Sequence, residues 1–151
     1  MSNKIISTNR KIFRDYQILE TYEAGIVLKG SEVKSLRNSN TSLQDSYCKI
    51  ENNELLLYNM YIAPYKQSGV FSPAPRRIRK LLLHRNEINR LYGKLTQGNL
   101  VLIPVELYFN NKGIAKLKLG LAKRLKGPDK REQIKKRELD RELKKKFPGI
   151  I

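Results

Sequence analysis

Cysteine and histidine each occur only once in the 151 residues, as Cys48 and His84. A single cysteine excludes an intramolecular disulfide and fits a reducing compartment. The two side chains are 36 positions apart, and no CxxC or HxxxH pattern lies beside them. The sequence therefore predicts no metal site, because zinc sites need several such ligands at short spacing.

Long hydrophobic runs are missing as well. The chain's apolar stretches, such as residues 81–83 and 100–104, are far shorter than the roughly 20 residues that span a bilayer. Residues 1–14 are polar and basic and lack the apolar segment of a secretory signal. We therefore expect a cytoplasmic protein without a membrane partner.

Acidic residues are scarce relative to basic ones. The chain has 14 Asp and Glu against 31 Lys and Arg, which gives a net charge of +17. Such an excess indicates a polyanionic partner. A membrane surface would also attract it, but binding there needs a broad apolar face or a lipid anchor, and the sequence shows neither. Nucleic acid is therefore the leading candidate.

The residues that catalysis needs are equally sparse. General acid–base chemistry requires carboxylates or a histidine in a cleft, yet the acidic residues are scattered singly among basic ones. No glycine-rich phosphate loop of the GxxxxGK(S/T) or GxGxxG type occurs. The sequence predicts neither an enzyme nor a bound cofactor, so a small RNA-modifying or RNA-cleaving enzyme is the least favoured class.

What the sequence does contain is a series of short apolar or alternating runs bounded by turn residues, which predicts β-strands. We expect strands at residues 16–20, 25–29, 46–51, 54–59, 79–84, 101–109 and 114–120. Asn52-Asn53 and residues 110–113 predict hairpin turns. Two short helices are predicted, one over 32–37 capped by Ser31 and one over 86–95 with Ile88, Leu91, Tyr92 and Leu95 on one face.

Many short antiparallel strands with embedded helices in about 110 residues favour a mostly β protein, a small barrel of the oligonucleotide-binding type. A split sheet with helices on one side would give a similar pattern. We divide the chain into a basic N-terminal arm at 1–15, an RNA-binding body at 16–122 and a basic C-terminal tail at 123–151.

The composition changes in the tail. Residues 122–151 hold 12 Lys and Arg and 5 Asp and Glu, and from 129 to 147 opposite charges lie three or four residues apart, as in a helix. Leu139, Leu143 and Phe147 form only a narrow apolar stripe, and an isolated helix of ~19 residues is marginal in water. We expect a tail that is disordered when free and helical on its partner.

Three features of the body are suited to RNA. Basic residues crowd positions 76–85 beside a buried strand, Lys116 and Lys118 share one strand face, and Tyr58, Tyr61 and Tyr65 could stack on unpaired bases. A solvated charge run and a barrel wall built of tyrosines are the structural alternatives. Glu23 is a conspicuous carboxylate in a basic body, suited either to accept hydrogen bonds from a base or ribose or to pair with an arginine.

Several runs of the sequence resemble the small protein B family, the SsrA-binding proteins. They are ILETYEAGIVLKGSEVKSLR at 18–37, DSY at 45–47, YIAPY at 61–65, RKLLLH at 79–84, LYGK at 91–94, IP at 103–104, LGLAK at 119–123 and DKR at 129–131. The chain departs from the family pattern at Ser39-Asn40, where a glycine turn is usual, at Arg124-Leu125-Lys126, in place of Gly-Lys-Lys, and at Pro128, in place of an aromatic residue or histidine.

The resemblance implies an oligonucleotide-binding-like barrel that binds the tRNA-like domain of tmRNA and performs no catalysis. It also implies delivery of alanyl-tmRNA, with elongation factor Tu and GTP, to a stalled ribosome, where the tail becomes helical in the empty messenger channel near the decoding centre. The nascent chain is then tagged and the ribosome is rescued. We expect a monomer when free. The main rival is a structural ribosomal protein or assembly factor with a similar barrel.

The resemblance assigns two sets of site residues. The tmRNA-binding set is Asn9, Arg10, Lys11, Glu23, Gly25, Arg79, Lys80, Leu82, His84, Lys116, Lys118 and Lys123. The ribosome-sensing set in the tail is Asp129, Lys130, Arg131, Ile134, Lys135, Arg137 and Glu138.

Overall fold

The computed structural model describes residues 3–65 and 73–125. Nine strands and three helices follow one another along these residues. Their order is β1 (Lys4–Thr8), α1 (Ile12–Asp15), β2 (Tyr16–Ile26), α2 (Gly30–Arg37), β3 (Thr41–Ser42), β4 (Tyr47–Glu51), β5 (Glu54–Tyr58), β6 (Tyr61–Ile62), β7 (Arg79–Leu82), α3 (Arg85–Leu95), β8 (Leu100–Phe109) and β9 (Ala115–Arg124).

Six of the strands close into a ring. The main sheet runs β1-β8-β4-β5-β7-β2-β9, and β9 also pairs with β8, which closes the ring. All pairings are antiparallel. β1 pairs with the second half of β8, and β3 and β6 form a separate small ribbon. The prediction of a mostly β protein built as a small antiparallel barrel with embedded short helices is therefore confirmed. Closure of the ring leaves few strand edges unpaired.

The barrel interior is filled by alternate residues of its strands. Leu55 and Leu57 of β5 and Leu117 and Leu119 of β9 are each 0% exposed, as expected when every second side chain faces the core. Ile88 and Leu91 of α3 are buried in the same cluster, with Leu95 packed against it and Tyr92 exposed. The predicted helical face thus covers the barrel, apart from Tyr92.

The two predicted hairpin turns are confirmed. Asn52 and Asn53 have φ values of 51° and 64° and join β4 to β5, as a tight hairpin turn requires. Gly113 has a φ of 76° in the turn between β8 and β9. Asparagine and glycine tolerate this left-handed conformation better than other residues.

Several element boundaries differ from the prediction. β2 is one continuous strand of 11 residues where two strands were predicted. α2 begins at Gly30 after Lys29, whose amide donates to the Glu32 carboxylate at 2.9 Å, so Ser31 is not its cap. Ser39 follows α2 with a φ of 58°. That left-handed position after a helix favours glycine, and here it is occupied by a serine.

The predicted N-terminal arm, 1–15, and the predicted tail, 123–151, both overlap elements of the barrel. Residues 4–15 form β1 and α1, which belong to the barrel rather than to a separate arm. β9 continues to Arg124, and the amide of Leu125 donates to the Asp15 carbonyl at 2.9 Å. The body therefore extends to at least Leu125. Among the described residues, no helix is long and apolar enough to cross a membrane.

Candidate nucleic-acid interface

Five of the predicted RNA-binding residues line one cleft of about 420 Å³. They are Glu23, Gly25, Leu82, His84 and Lys116. Leu83 and Glu87, which were not predicted, complete the lining. Strand pairing explains the grouping, because Gly25 of β2 pairs with Leu82 of β7 on one side and with Lys116 of β9 on the other. Lys80 lies two residues before Leu82 on β7, and Lys118 lies two residues after Lys116 on β9. We call these residues the cleft patch: Glu23, Gly25, Lys80, Leu82, His84, Lys116 and Lys118.

Leu82 is the apolar element of the cleft patch. Its side chain is 52% exposed and lies over Gly25, where an added Cβ would stand 3.4 Å from the Leu82 Cβ. Glycine at position 25 therefore lets Leu82 pack closely onto β2. An exposed leucine between lysines can pack against the apolar face of a base or ribose, which removes apolar surface from water.

Tyr108 orients the carboxylate of Glu23. The Tyr108 hydroxyl of β8 donates a hydrogen bond to Glu23 across β9, and Lys118 is the register partner of Glu23. Burial, and then the hydrogen bond to Glu23, raise the pKa of Tyr108, so this hydroxyl remains a donor at neutral pH. Glu23 is therefore an oriented acceptor in the cleft, and it forms no ion pair with an arginine of the described residues.

A polar cluster on β2 holds α3 beside the cleft. The Glu20 carboxylate accepts hydrogen bonds from Lys94 and from the Tyr22 hydroxyl, both at 2.6 Å, and lies 3.8 Å from Arg90. The hydrogen bond from Lys94 is the main cause of a lowered pKa for Glu20. Burial, with the bond to Glu20, raises the pKa of Tyr22 to about 12. α3, which contributes Glu87 to the cleft, is thereby tied to β2.

Three other predicted residues lie near the opposite end of the β2–β9 ladder. Arg10 and Lys11 are exposed in the turn before α1, and Lys123 is exposed near the end of β9, paired with Gln17. Lys118 and Lys123 are five residues apart on β9, which corresponds to roughly 16 Å. We call Arg10, Lys11 and Lys123 the ladder-end patch. The predicted surface therefore divides into two regions.

Arg79 does not belong to either surface, and its prediction as an RNA contact is corrected. Its side chain is 0% exposed. Its guanidinium donates to Glu32 at 2.8 Å, to the Met60 carbonyl at 2.7 Å and to the Pro75 carbonyl at 3.0 Å. Lys80, the next residue, points outward because successive side chains of a strand face opposite sides. Arg79 is a structural residue of the barrel interior.

Asn9 is corrected for the same reason. It is 5% exposed, and its side-chain amide donates to the Pro104 carbonyl at 3.0 Å. Its backbone amide donates to the Val105 carbonyl at 2.8 Å, where the β8–β9 register shifts. Asn9 thus anchors the turn that carries Arg10 and Lys11 and does not itself face a partner.

The three tyrosines that were grouped in the sequence have different neighbours. Tyr58 stacks on Tyr47, Tyr61 has the Arg76 guanidinium 5.3 Å above its ring, and Tyr65 has the Lys34 ammonium 5.4 Å above its ring.

The predicted ribosome-sensing set of the tail lies outside the described residues. Its members are Asp129, Lys130, Arg131, Ile134, Lys135, Arg137 and Glu138.

Neither the Cys48 thiol nor the acidic side chains of the described residues form a reactive or metal-binding site. Cys48 is buried, and burial raises the pKa of its thiol, so the reactive thiolate is disfavoured. In the part of the chain that the structure describes, no group of three or more His, Cys, Asp and Glu side chains is placed to hold a metal ion.

Comparison with known proteins places the chain in a family. The family model described as SmpB protein matches residues 6–148. The SsrA-binding protein of Pseudothermotoga lettingae is 53% identical over 141 residues, covering 93% of this chain and 95% of that protein. The chain belongs to the SmpB family. The SsrA-binding protein of Carboxydothermus hydrogenoformans is 54% identical over 142 residues, covering 94% of this chain and 95% of that protein.

A solved SmpB structure has the same fold. It is described as "tmRNA-SmpB: a journey to the center of the bacterial ribosome" and is 49% identical in sequence, with a TM-score of 0.68 over 84% of this chain and 92% of that one. The SmpB resemblance read from short sequence runs is therefore confirmed over nearly the whole chain.

The sequence analysis did not identify two side chains of the site in this SmpB family member. Tyr108 orients Glu23, and Glu87 adds a second carboxylate to the cleft while accepting from the His84 amide at 3.4 Å. The glutamate at the third position of α3 was a detectable signal for that helix cap. The link from Tyr108 to Glu23 joins residues 85 positions apart, so no local pattern shows it.

Proposed function

We propose that this protein is the tmRNA-binding protein of trans-translation. It binds tmRNA, accompanies it to stalled ribosomes and makes or breaks no covalent bond itself. The cleft patch carries this proposal, because it brings exposed lysines, an exposed leucine and an oriented carboxylate together on a rigid barrel. Membership in the SmpB family and the likeness to an SmpB chain described with tmRNA and the bacterial ribosome support it.

The chemistry of the cleft patch suits RNA in two ways. Lys80, Lys116 and Lys118 supply positive charge that neutralises phosphates, which provides affinity without reading sequence. Glu23 accepts hydrogen bonds, and RNA offers donors in the exocyclic amino groups of its bases and in the ribose 2′-hydroxyl. A carboxylate repels phosphates, so its presence in a basic cleft favours selective over general RNA binding.

The remaining partners belong to the same proposal. The tRNA-like domain of tmRNA lies against the cleft patch and the ladder-end patch, and the tail enters the empty messenger channel of the small ribosomal subunit. Elongation factor Tu with GTP takes part through alanyl-tmRNA rather than through this chain. The protein acts as a monomer in the cytoplasm, where tmRNA and ribosomes are found.

Removal of two lysines from the cleft patch tests their pairing with phosphates. The double substitution Lys116→Ala/Lys118→Ala is expected to weaken tmRNA binding and to reduce the slope of log K against log salt by roughly 0.7–0.9 for each phosphate that is no longer neutralised. Filter binding of labelled tmRNA over a salt series measures both quantities. Lys4→Ala/Lys34→Ala removes the same charge from β1 and α2 and serves as the matched control. A slope equal to that of the control would remove β9 from the RNA surface.

Recovery of RNA bound in cells tests the function itself. Affinity-tagged protein is expected to retain tmRNA as one stoichiometric RNA species after ribosomes have been dissociated and removed by chelating magnesium. Recovery of ribosomal RNA alone would instead support a structural ribosomal protein or an assembly factor.

A further inference from the structure

The wall of the barrel is incomplete between β4 and β8. These strands are joined at a single register pair, Cys48 with Leu102, whereas β4 pairs with β5 along its whole length and β8 pairs with β9 along nearly all of its own. β4 and β8 therefore diverge on either side of that pair, and a groove of about 430 Å³ opens there. Small-ligand sites have a similar size, roughly 300–1,000 Å³.

Aromatic and apolar side chains line this groove, which we call the Tyr47 groove. Tyr47 and Lys49 come from β4, Tyr92 from α3 and Val101 from β8. Tyr47, Tyr92 and Val101 are 40%, 52% and 40% exposed. Contiguous exposed apolar surface of this kind marks interaction sites.

Tyr47 is held as a flat platform at the groove. Its ring stacks on Tyr58 with the ring centroids 5.3 Å apart and the planes 3° from parallel. The Tyr58 hydroxyl donates to Glu51 at 2.9 Å, which fixes the supporting ring. The Lys49 ammonium lies 5.7 Å from both ring centroids. A positioned ring beside a cation is the arrangement that binds unpaired nucleotides.

We propose that the Tyr47 groove binds one unpaired nucleotide of an RNA partner, with its base against the Tyr47 ring and its phosphate beside Lys49. The proposal rests on the proposed function and adds an RNA contact outside the cleft patch. Charge favours a nucleotide over an apolar peptide, because the protein carries a net charge of +17 and Lys49 stands at the ring. The Glu51 carboxylate, which also lines the groove, is engaged by Tyr58.

The Tyr47 groove is connected to the cleft patch across the barrel wall. Leu56 of β5 pairs with Lys49 on one side and with Lys80 on the other. Residues in register lie on the same sheet face, so Lys49 and Lys80 stand in one row about 10 Å apart at the backbone. One RNA molecule spanning the two lysines would therefore neutralise both.

The experiment measures RNA binding by the full-length protein and its variants. The probes are fluorescein-labelled decaadenylate RNA, tmRNA and isolated small ribosomal subunits. Tyr47→Leu is expected to weaken decaadenylate binding by about 5- to 150-fold, the effect of removing one base stack, while Tyr47→Phe binds like the unchanged protein. Lys49→Gln should lower the salt slope by about 0.7, and Lys49→Arg should retain it. Thermal unfolding of each variant checks the fold.

The other probes identify the source of the nucleotide. Weaker tmRNA binding by Tyr47→Leu places it in tmRNA, and weaker subunit binding places it in ribosomal RNA. Unchanged affinity of Tyr47→Leu and Lys49→Gln for all three probes overturns the proposal. If Tyr47→Leu fails to fold, the salt slope of Lys49→Gln decides. If decaadenylate binding requires Tyr47 but the protein does not bind tmRNA, the groove proposal stands and the proposed function is overturned. If the protein binds tmRNA but the groove variants keep their affinity for all three probes, the proposed function stands and the groove proposal is overturned.

Discussion

Replacing Glu32 by alanine is expected to lower the free energy of unfolding by about 3–5 kcal/mol, because it leaves a buried arginine without its counter-ion. Glu32 and Arg79 are 2% and 0% exposed and lie 2.6 Å apart, and Arg77 contacts the other Glu32 oxygen at 2.5 Å. A domain of this size is typically stable by only about 5–15 kcal/mol. Urea unfolding followed by circular dichroism measures the change.

Glu54→Ala is the matched control. Glu54 lies 3.8 Å from Lys80, and both side chains are about half exposed, so the destabilisation is expected to be about 0–1 kcal/mol. The double variant Glu32→Met/Arg79→Met removes both buried charges and should recover part of the stability that Glu32→Ala lacks. Equal stability of Glu32→Ala and Glu54→Ala would show that the buried cluster does not hold the barrel together.

The effect of Glu32→Ala depends on pH. Burial raises the pKa of Glu32, but hydrogen bonds from Arg77, the Lys29 amide and Arg79 outweigh it and hold the pKa below the ordinary value of 4.5. A carboxyl group whose pKa is lowered by folding stabilises the protein above its unfolded pKa and loses that contribution as the pH falls through its folded pKa. The stability difference between the wild type and Glu32→Ala should therefore be full at neutral pH and shrink in acid.

Truncation after Gly127 is expected to abolish tagging on stalled ribosomes while leaving tmRNA affinity within a few-fold of the full chain. Leu125, the last described residue, is buried and bonded to Asp15, and the cleft patch lies wholly within the described residues. Residues 128–151 hold nine Lys and Arg and five Asp and Glu, so most of the net charge remains. Filter binding of tmRNA and tagging in a purified translation system measure the two activities.

Two full-length variants test whether the tail acts through its motif and its helix. Substituting Asp129, Lys130 and Arg131 together by alanine should reproduce the tagging defect without shortening the chain. Lys135→Pro should do the same, because proline costs a helix interior ~3 kcal/mol. Failure of the truncated chain to bind tmRNA, or tagging by that chain, would mean that body and tail do not have separate roles.

The regular parts of the fold were predictable from local patterns. The β4–β5 hairpin has alternating residues and an Asn-Asn turn, and α3 has a regular apolar face, so each is specified by neighbours in sequence. β1 was missed because Lys4–Thr8 is a short strand whose pairing partner, β8, lies about a hundred residues away in sequence. The continuity of β2 was missed because the polar residues in its middle, between the predicted strands 16–20 and 25–29, resemble a loop. They belong to a strand whose alternate residues face solvent.

The sequence by itself determined a small antiparallel barrel, a polyanionic partner, the absence of a disulfide and membership in a family, since these follow from composition, alternation and motif order. Only the tertiary structure decided which cations are exposed. Alternation states that Arg79 and Lys80 face opposite sides of β7, but with a charge on each it does not state which side is inside. Burial of Glu32 on α2 decides it, because a buried carboxylate requires an arginine beside it, and that contact joins residues 47 positions apart.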